Sequence, residues 1–223
     1  MAILEARHIT KTYSVDHRDI TVLDDVSLSV EAGAFVVITG SSGSGKTTLL
    51  TLLSGLDRPS SGQILIDSRD ITTASEEELA PLRNKSIGFV FQSFHLVPSM
   101  TALENIMFPA ELCGDPRAGE RARRLLQRVG MAARADNLPS QLSGGEKQRI
   151  ALCRALINHP KVVFADEPTG NLDTENGQIV LEQLIELKNA HDATLVLVTH
   201  NPQIAQAADR VIRLRDGRLE GAE

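Results

Sequence analysis

Positive charge is scarce in this chain: 23 Lys and Arg stand against 29 Asp and Glu, a net charge of −6 over 223 residues. That balance argues against a nucleic-acid groove as the main surface, so no nucleic-acid partner is expected. Cysteine is scarcer still. Cys113 and Cys153 are the only two; they are far apart and lack metal-ligand spacing, which excludes a disulfide framework and suits a reducing compartment. No apolar run approaches the ~20 residues of a membrane helix. The start, MAILEARHITKTY, has neither the basic opening nor the apolar stretch of a signal peptide. There is no repeat, low-complexity tract or long linker. A cytosolic location is therefore expected, and any work at a membrane would need another chain to provide the span.

What is present reads as α/β. Residues 3–8 and 21–30 are expected strands; TVLDDVSLSV alternates apolar and polar with a period of two. AFVVIT, IGFVFQ, KVVFADE and ATLVLVTH are short, β-branched apolar runs suited to strands buried on both faces. GQILID is a further strand. Helices are expected after GSSGSGKT up to Gly55, from Ser75 to Leu82, and from Glu175 to Asn189. Residues 101–130 read as a helical insert, opened by a capping pattern of Thr101 with Glu104. RVIRLRDGRLE predicts a closing hairpin around Asp216-Gly217. Strands alternating with helices predict a largely parallel sheet, in one domain or one plus a subdomain.

Residues 40–47, GSSGSGKT, match G-x-x-x-x-G-K-[ST], a pattern met by chance in roughly one chain in a hundred of this length. In such a loop the backbone N–H groups of Gly40, Ser41, Ser42, Gly43, Ser44 and Gly45 cradle a β-phosphate. Lys46 reaches the β- and γ-oxygens, Thr47 ligates Mg²⁺, and Thr48 follows in the first helical turn. A Gly-Ser turn into a helix is the plainer reading, but the preceding buried strand and following helix weigh against it. VVFADE runs from a buried strand into two acids. Asp166 fits a second magnesium anchor, and Glu167 a group that orients and deprotonates the attacking water. Alone, the pair reads equally well as a solvated turn; beside a phosphate loop the catalytic reading wins.

LSGGEKQRIALCRA, residues 142–155, has the marks of a second anion site. Ser143 caps a helix start, Glu146 reaches back, and Gly144 and Gly145 admit close approach. One small chain thus carries two phosphate-binding features.

With these residues in hand the chain resembles the ATP-binding-cassette ATPases over nearly its whole length. LSGGEKQ matches that family's signature motif, just upstream of VVFADE. Gln92 matches the glutamine loop, NLD at 171–173 with Asp173 the D-loop (GNLD in place of the commoner SALD), and His200 the switch histidine. Tyr13 in KTYS matches the aromatic residue that stacks on adenine. Each has a plainer reading alone: Tyr13 as a packing residue, Gln92 as a strand-end cap, His200 as a turn residue before Pro202. All six elements nevertheless occur in family order, and Gln92 and His200 close two expected buried strands, where open α/β sheets bind ligands.

The resemblance implies a P-loop fold: a mostly parallel core, an antiparallel β subdomain, and a helical subdomain carrying the signature. Its expected bounds are about 1–92 and 160–223 for the core and β subdomain and about 93–159 for the helical part. It implies ATP and Mg²⁺ as ligands, with Thr47, Gln92 and Asp166 on the metal and His200 on the γ-phosphate. It implies a homodimer in the ATP-bound state, each signature motif acting on its partner's nucleotide. FVFQSFHLVPSMTALENIMFP and ADEPTGNLD resemble the lipoprotein-releasing and macrolide-exporter group. That implies an integral permease subunit with a periplasmic or extracellular domain, and a peripheral place on the inner face of the membrane. The apolar residues Phe94, Leu96, Val97, Met100 and Leu103 are expected mostly in the core of the helical insert; the family forms its permease groove in the same region, so some of these side chains are expected to be under-buried in the isolated subunit. In ERARRLLQR, Leu125, Leu126 and Val129 are expected inward. Two other classes compete: a soluble cassette ATPase, such as one of iron–sulfur cluster assembly, and a P-loop kinase. A kinase has no use for the second phosphate-contacting helix start.

Overall fold

The computed structural model describes residues 1–15 and 18–220. In chain order the elements are β1 (Ala2–Val15), β2 (Arg18–Glu31), β3 (Phe35–Thr39), α1 (Lys46–Leu53), β4 (Ser61–Ile66), β5 (Arg69–Asp70), α2 (Glu76–Ser86) and β6 (Ile87–Phe91). There follow α3 (Ala102–Leu112), α4 (Ala118–Arg128), α5 (Gly144–Leu156), β7 (Val162–Asp166), α6 (Thr174–Ala190), β8 (Thr194–Val198), α7 (Pro202–Gln206), β9 (Arg210–Arg215) and β10 (Arg218–Glu220). The chain divides into two compact units, Met1–Arg83 with Thr194–Glu223, and Asn84–Ala193.

In the first unit an antiparallel sheet runs in the order β2-β1-β4-β5. Leu4, Ile9, Leu23, Val26, Ile64 and Ile66 bury its inner face completely or nearly so. β1 extends well past the expected 3–8. His8 at φ 51° makes a bulge, its N–H donating to Ser27 Oγ (2.8 Å), and the pairing register shifts between Ala6 and Ile9. The bulge resets the two-residue alternation, so TKTYS does not read as a continuation of the same strand. The same unit holds β3 between parallel neighbours: Val37 faces Leu197 of β8 on one side and Val211 of β9 on the other. A strand flanked on both sides by others, with helices above, must be apolar throughout, and FVVI is fully buried. β9 and β10 form the expected hairpin, turning at Asp216 and Gly217, both at positive φ.

In the second unit β6 and β7 pair in parallel, Val90 facing Ala165. α3 starts at a full capping box, Thr101 Oγ1 accepting from the N–H of Glu104 (3.2 Å) and Glu104 Oε2 from that of Thr101 (2.7 Å). Leu125, Leu126 and Val129 point inward as expected. The apolar run after Gln92 corrects the expectation of a mostly buried core and agrees with that of under-buried side chains. Only Leu103 is buried; Phe94, Leu96, Val97 and Met100 are half-buried. Polar clamps hold that loop in place of apolar burial. The buried Asn105 donates to the carbonyls of Val97, Met100 and Thr101 and accepts from the N–H of Val97. β5, α7 and two 3₁₀ turns (Ala132–Arg134 and Pro139–Gln141) lack a readable periodicity because each spans too few residues.

Candidate functional site

The phosphate loop connects β3 to α1. Gly43 (φ 78°) and Gly45 (φ 98°) lie in the left-handed region, which glycine enters without penalty. At Gly40 a Cβ would sit 2.2 Å from the Leu214 carbonyl oxygen and 2.6 Å from Ser44 Oγ, so the loop closes only with glycine there. Lys46 Nζ bends back over the loop and donates to the carbonyls of Gly40 (2.9 Å) and Ser41 (2.8 Å). Two observations fit this loop to a phosphate. α1 has no side-chain cap and no acid in its first turn, so its positive end is left for an anion from outside. Ser44 Oγ is buried without a hydrogen-bond partner. Ser41, Ser42 and Thr47 are exposed, and Thr48 half-buried.

Tyr13 belongs to the same unit. Its hydroxyl donates to Asp57 Oδ2 (2.9 Å) and interacts with the side chain of Thr48, in the first turn of α1. Burial, then the Asp57 carboxylate, raises the phenol above its ordinary pKa. Burial would raise the Asp57 carboxyl, but the bonds from Lys11, Tyr13 and the Arg58 N–H outweigh it and hold it low. His200, two residues beyond β8, is exposed.

The second unit carries the remaining candidates. Asp166 ends β7 and Glu167 follows at φ 44°. A glutamate is rarely left-handed, and a residue before proline is restricted further, so Glu167 ahead of Pro168 is strained. Its carbonyl accepts from the N–H of Gly170 (3.0 Å), which closes the turn. Strain of this kind concentrates at functional positions. Gln92 Nε2 donates to Asn171 Oδ1 (3.2 Å), and Asn171 Nδ2 returns a bond to the Gln92 carbonyl (3.1 Å). Asp173 caps α6, Oδ1 accepting from the N–H of Asn176 (3.0 Å) and Oδ2 from its amide (2.7 Å); the first of these bonds leads in lowering its pKa.

α5 starts at Ser143 with both halves of the expected box: Ser143 Oγ accepts from the Glu146 N–H (3.2 Å), and Glu146 Oε2 from the Ser143 N–H (2.8 Å). Arg134 Nε donates to the other oxygen of Glu146 at 3.0 Å. Ser143 is exposed and Gly144 half-buried, but Gly145 is buried. A Cβ at Gly145 would meet Asn176 Oδ1 at 2.8 Å, so the missing side chain there makes room for α6, whereas an open ligand face was expected. Downstream on α5, Arg154 donates to the carbonyls of His95 (2.5 Å) and Phe94 (2.8 Å), two consecutive left-handed residues. Sequence reasoning missed Lys11, Asp57, Arg134, Arg154, Asn171 and Asn176. Only Asn171 gave a signal, as a departure from the commoner D-loop.

Comparison with known proteins agrees with this geometry. The "ABC transporter" family model matches residues 23–170. The macrolide export ATP-binding/permease protein MacB of Syntrophobacter fumaroxidans is 48% identical over 99% of this chain, which spans only 31% of that relative's length. The ABC transporter ATP-binding protein YbbA of Escherichia coli K12 is 45% identical over 98% of this chain and 96% of its own. Among solved structures, the dimeric post-hydrolysis state of the ATP-binding cassette MJ0796, bound to ADP and Pi, superposes with a TM-score of 0.89. It is 38% identical over 98% of this chain and 97% of that one. A second dimeric structure of MJ0796, a bacterial ABC transporter cassette, gives a TM-score of 0.90. The chain belongs to the ABC transporter family, as one of its ATP-binding ATPase cassettes.

Proposed function

We propose that this cassette hydrolyses ATP to ADP and phosphate with Mg²⁺, as a homodimer that drives a membrane permease. The observation that carries this reading is the likeness over 98% of the chain to a dimeric cassette holding ADP and Pi. Lys46 leaves its loop carbonyls for the β- and γ-phosphate oxygens. Thr47, Gln92 and Asp166 offer the oxygen donors that would hold Mg²⁺, which when bound would supply positive charge beside the phosphates. Glu167 takes a proton from the attacking water, and His200 contacts the γ-phosphate. Ser143 Oγ spends an acceptor position on its own cap, which leaves its O–H to donate to the γ-phosphate of the partner's ATP. Asp173 lies beside that contact as the cap of α6, and Tyr13 stacks on adenine.

The MacB relatives, named as ATP-binding and permease protein together, support a permease partner. Among the described residues no helix is long and apolar enough to cross a membrane. We place the cassette on the cytoplasmic face through that permease, which carries a periplasmic or extracellular domain. Glu167→Gln tests the cycle: turnover should fall roughly 10²- to 10⁴-fold while ATP binding persists and an ATP-bound dimer accumulates. Ser143→Ala should spare binding to the monomer and impair dimer closure. A Ser143→Ala protein that loses ATP as fully as Lys46→Ala would defeat the trans assignment. Recovery only with cluster scaffolds or ribosomes, and never with a membrane subunit, would defeat the permease assignment.

A further inference from the structure

Lys11 is a lysine in an unusual setting. Its side chain is only 11% exposed, and its ion-pair partner Asp57 is about one third exposed. It donates to Asp57 Oδ1 (2.9 Å) and to the Arg58 carbonyl (2.7 Å), and its ammonium lies 4.7 Å from the centre of the Tyr13 ring. Asp57 spends its second oxygen on the Tyr13 hydroxyl (2.9 Å). One carboxylate therefore ties the far end of the ring, while the cation it holds packs against the ring's face. A tyrosine on an exposed strand swings between rotamers; one held at its hydroxyl and on one face has a single orientation.

Apolar side chains share the ring's face of the sheet. Ile20 is the cross-strand partner of Tyr13, and Val15 lies two residues on along the same face of β1. Both are about half exposed, as Tyr13 is in part. An oriented ring with aliphatic neighbours suits a flat, apolar, uncharged ligand such as a nucleobase.

We infer that Lys11 and Asp57 are positioning residues that hold Tyr13 as a rigid platform for the nucleotide base. This rests on Tyr13 being the base-stacking residue. Holding the ring in advance removes the ordering cost that a free side chain would meet on binding.

Equilibrium binding to the full chain tests this, with ATP and inorganic tripolyphosphate as probes, the second having phosphates and no base. Tyr13→Ala should weaken ATP on the order of tenfold by removing the stacking face. Lys11→Met and Asp57→Asn should each weaken ATP by about three- to tenfold. Tripolyphosphate should bind all three variants as it binds the parent, which also shows that each is folded. If Tyr13→Ala weakens ATP while Lys11→Met and Asp57→Asn do not, the positioning role is overturned and Tyr13 keeps its own. If tripolyphosphate weakens in parallel with ATP, the pair acts through the phosphate loop and the inference is again overturned. If Tyr13→Ala leaves ATP affinity untouched, the stacking assignment itself is lost.

Discussion

Gln92 and Asn171 hold each other by two reciprocal hydrogen bonds, side chain to side chain at 3.2 Å and side chain to main chain at 3.1 Å. The amide nitrogen of Gln92 is the donor, so the bond fixes the plane of the amide whose Oε1 is proposed to meet Mg²⁺. Asn171→Ala, which restores the commoner residue of this motif, should lower turnover about two- to tenfold, the worth of one hydrogen bond. It should also raise the Mg²⁺ concentration needed for half-maximal ATP binding. Unchanged magnesium dependence would remove Asn171 from the orientation of Gln92.

The two signature glycines should separate cleanly. A Cβ at Gly144 reaches its nearest neighbour, Leu172, at 3.4 Å, whereas one at Gly145 meets Asn176 Oδ1 at 2.8 Å. Gly145→Ala should cost about 1–3 kcal/mol in urea denaturation, because the first turn of α6 must shift. Gly144→Ala should leave the unfolding midpoint within about 1 kcal/mol of the parent. Equal destabilisation by both would mean that Asn176 yields freely.

Glu167 is held at φ 44° before a proline. Glu167→Gly should therefore stabilise the fold, by up to about 1 kcal/mol, while abolishing turnover. Denaturant midpoints of the parent, Glu167→Gly and Glu167→Gln give the comparison. A glycine variant no more stable than the glutamine variant would show that the turn carries no strain.

Glu78, Glu104 and Glu146 each reach back to a helix-capping N–H, of Ser75, Thr101 and Ser143, and that bond leads in holding all three carboxyls below the ordinary glutamate range. With the folded pKa below the unfolded one, the stabilisation is present above about pH 4.3 and is lost as pH falls through the folded values. Stability should decline from about pH 5 downward, and a triple glutamine variant should flatten that decline. The same slope in parent and variant would assign acid sensitivity to other carboxylates.

Much of this was legible from the chain. Buried parallel strands announce themselves as unbroken apolar runs, and FVVI and VVFA were placed to within a residue. The capping boxes at Thr101 and Ser143 were legible because the residues involved are three apart. What escaped notice joins distant positions. Lys11 meets Asp57, Asn171 meets Gln92, and Arg154 meets Phe94. No local pattern encodes such pairings. Apolarity also misled: Phe94 and Met100 resemble core residues in sequence, but their loop is secured by Arg154 and Asn105.

α5 has 13 residues, about 20 Å of rigid rod at 1.5 Å per residue. Ser143 stands at one end; Gln148 near the middle donates to the Phe91 carbonyl at 3.3 Å, and Arg154 near the other end grips the carbonyls of Phe94 and His95. All three grips are on main chain. The backbone on either side of Gln92 is therefore held by the same helix that carries Ser143, through bonds that a change of side chain in that loop does not remove.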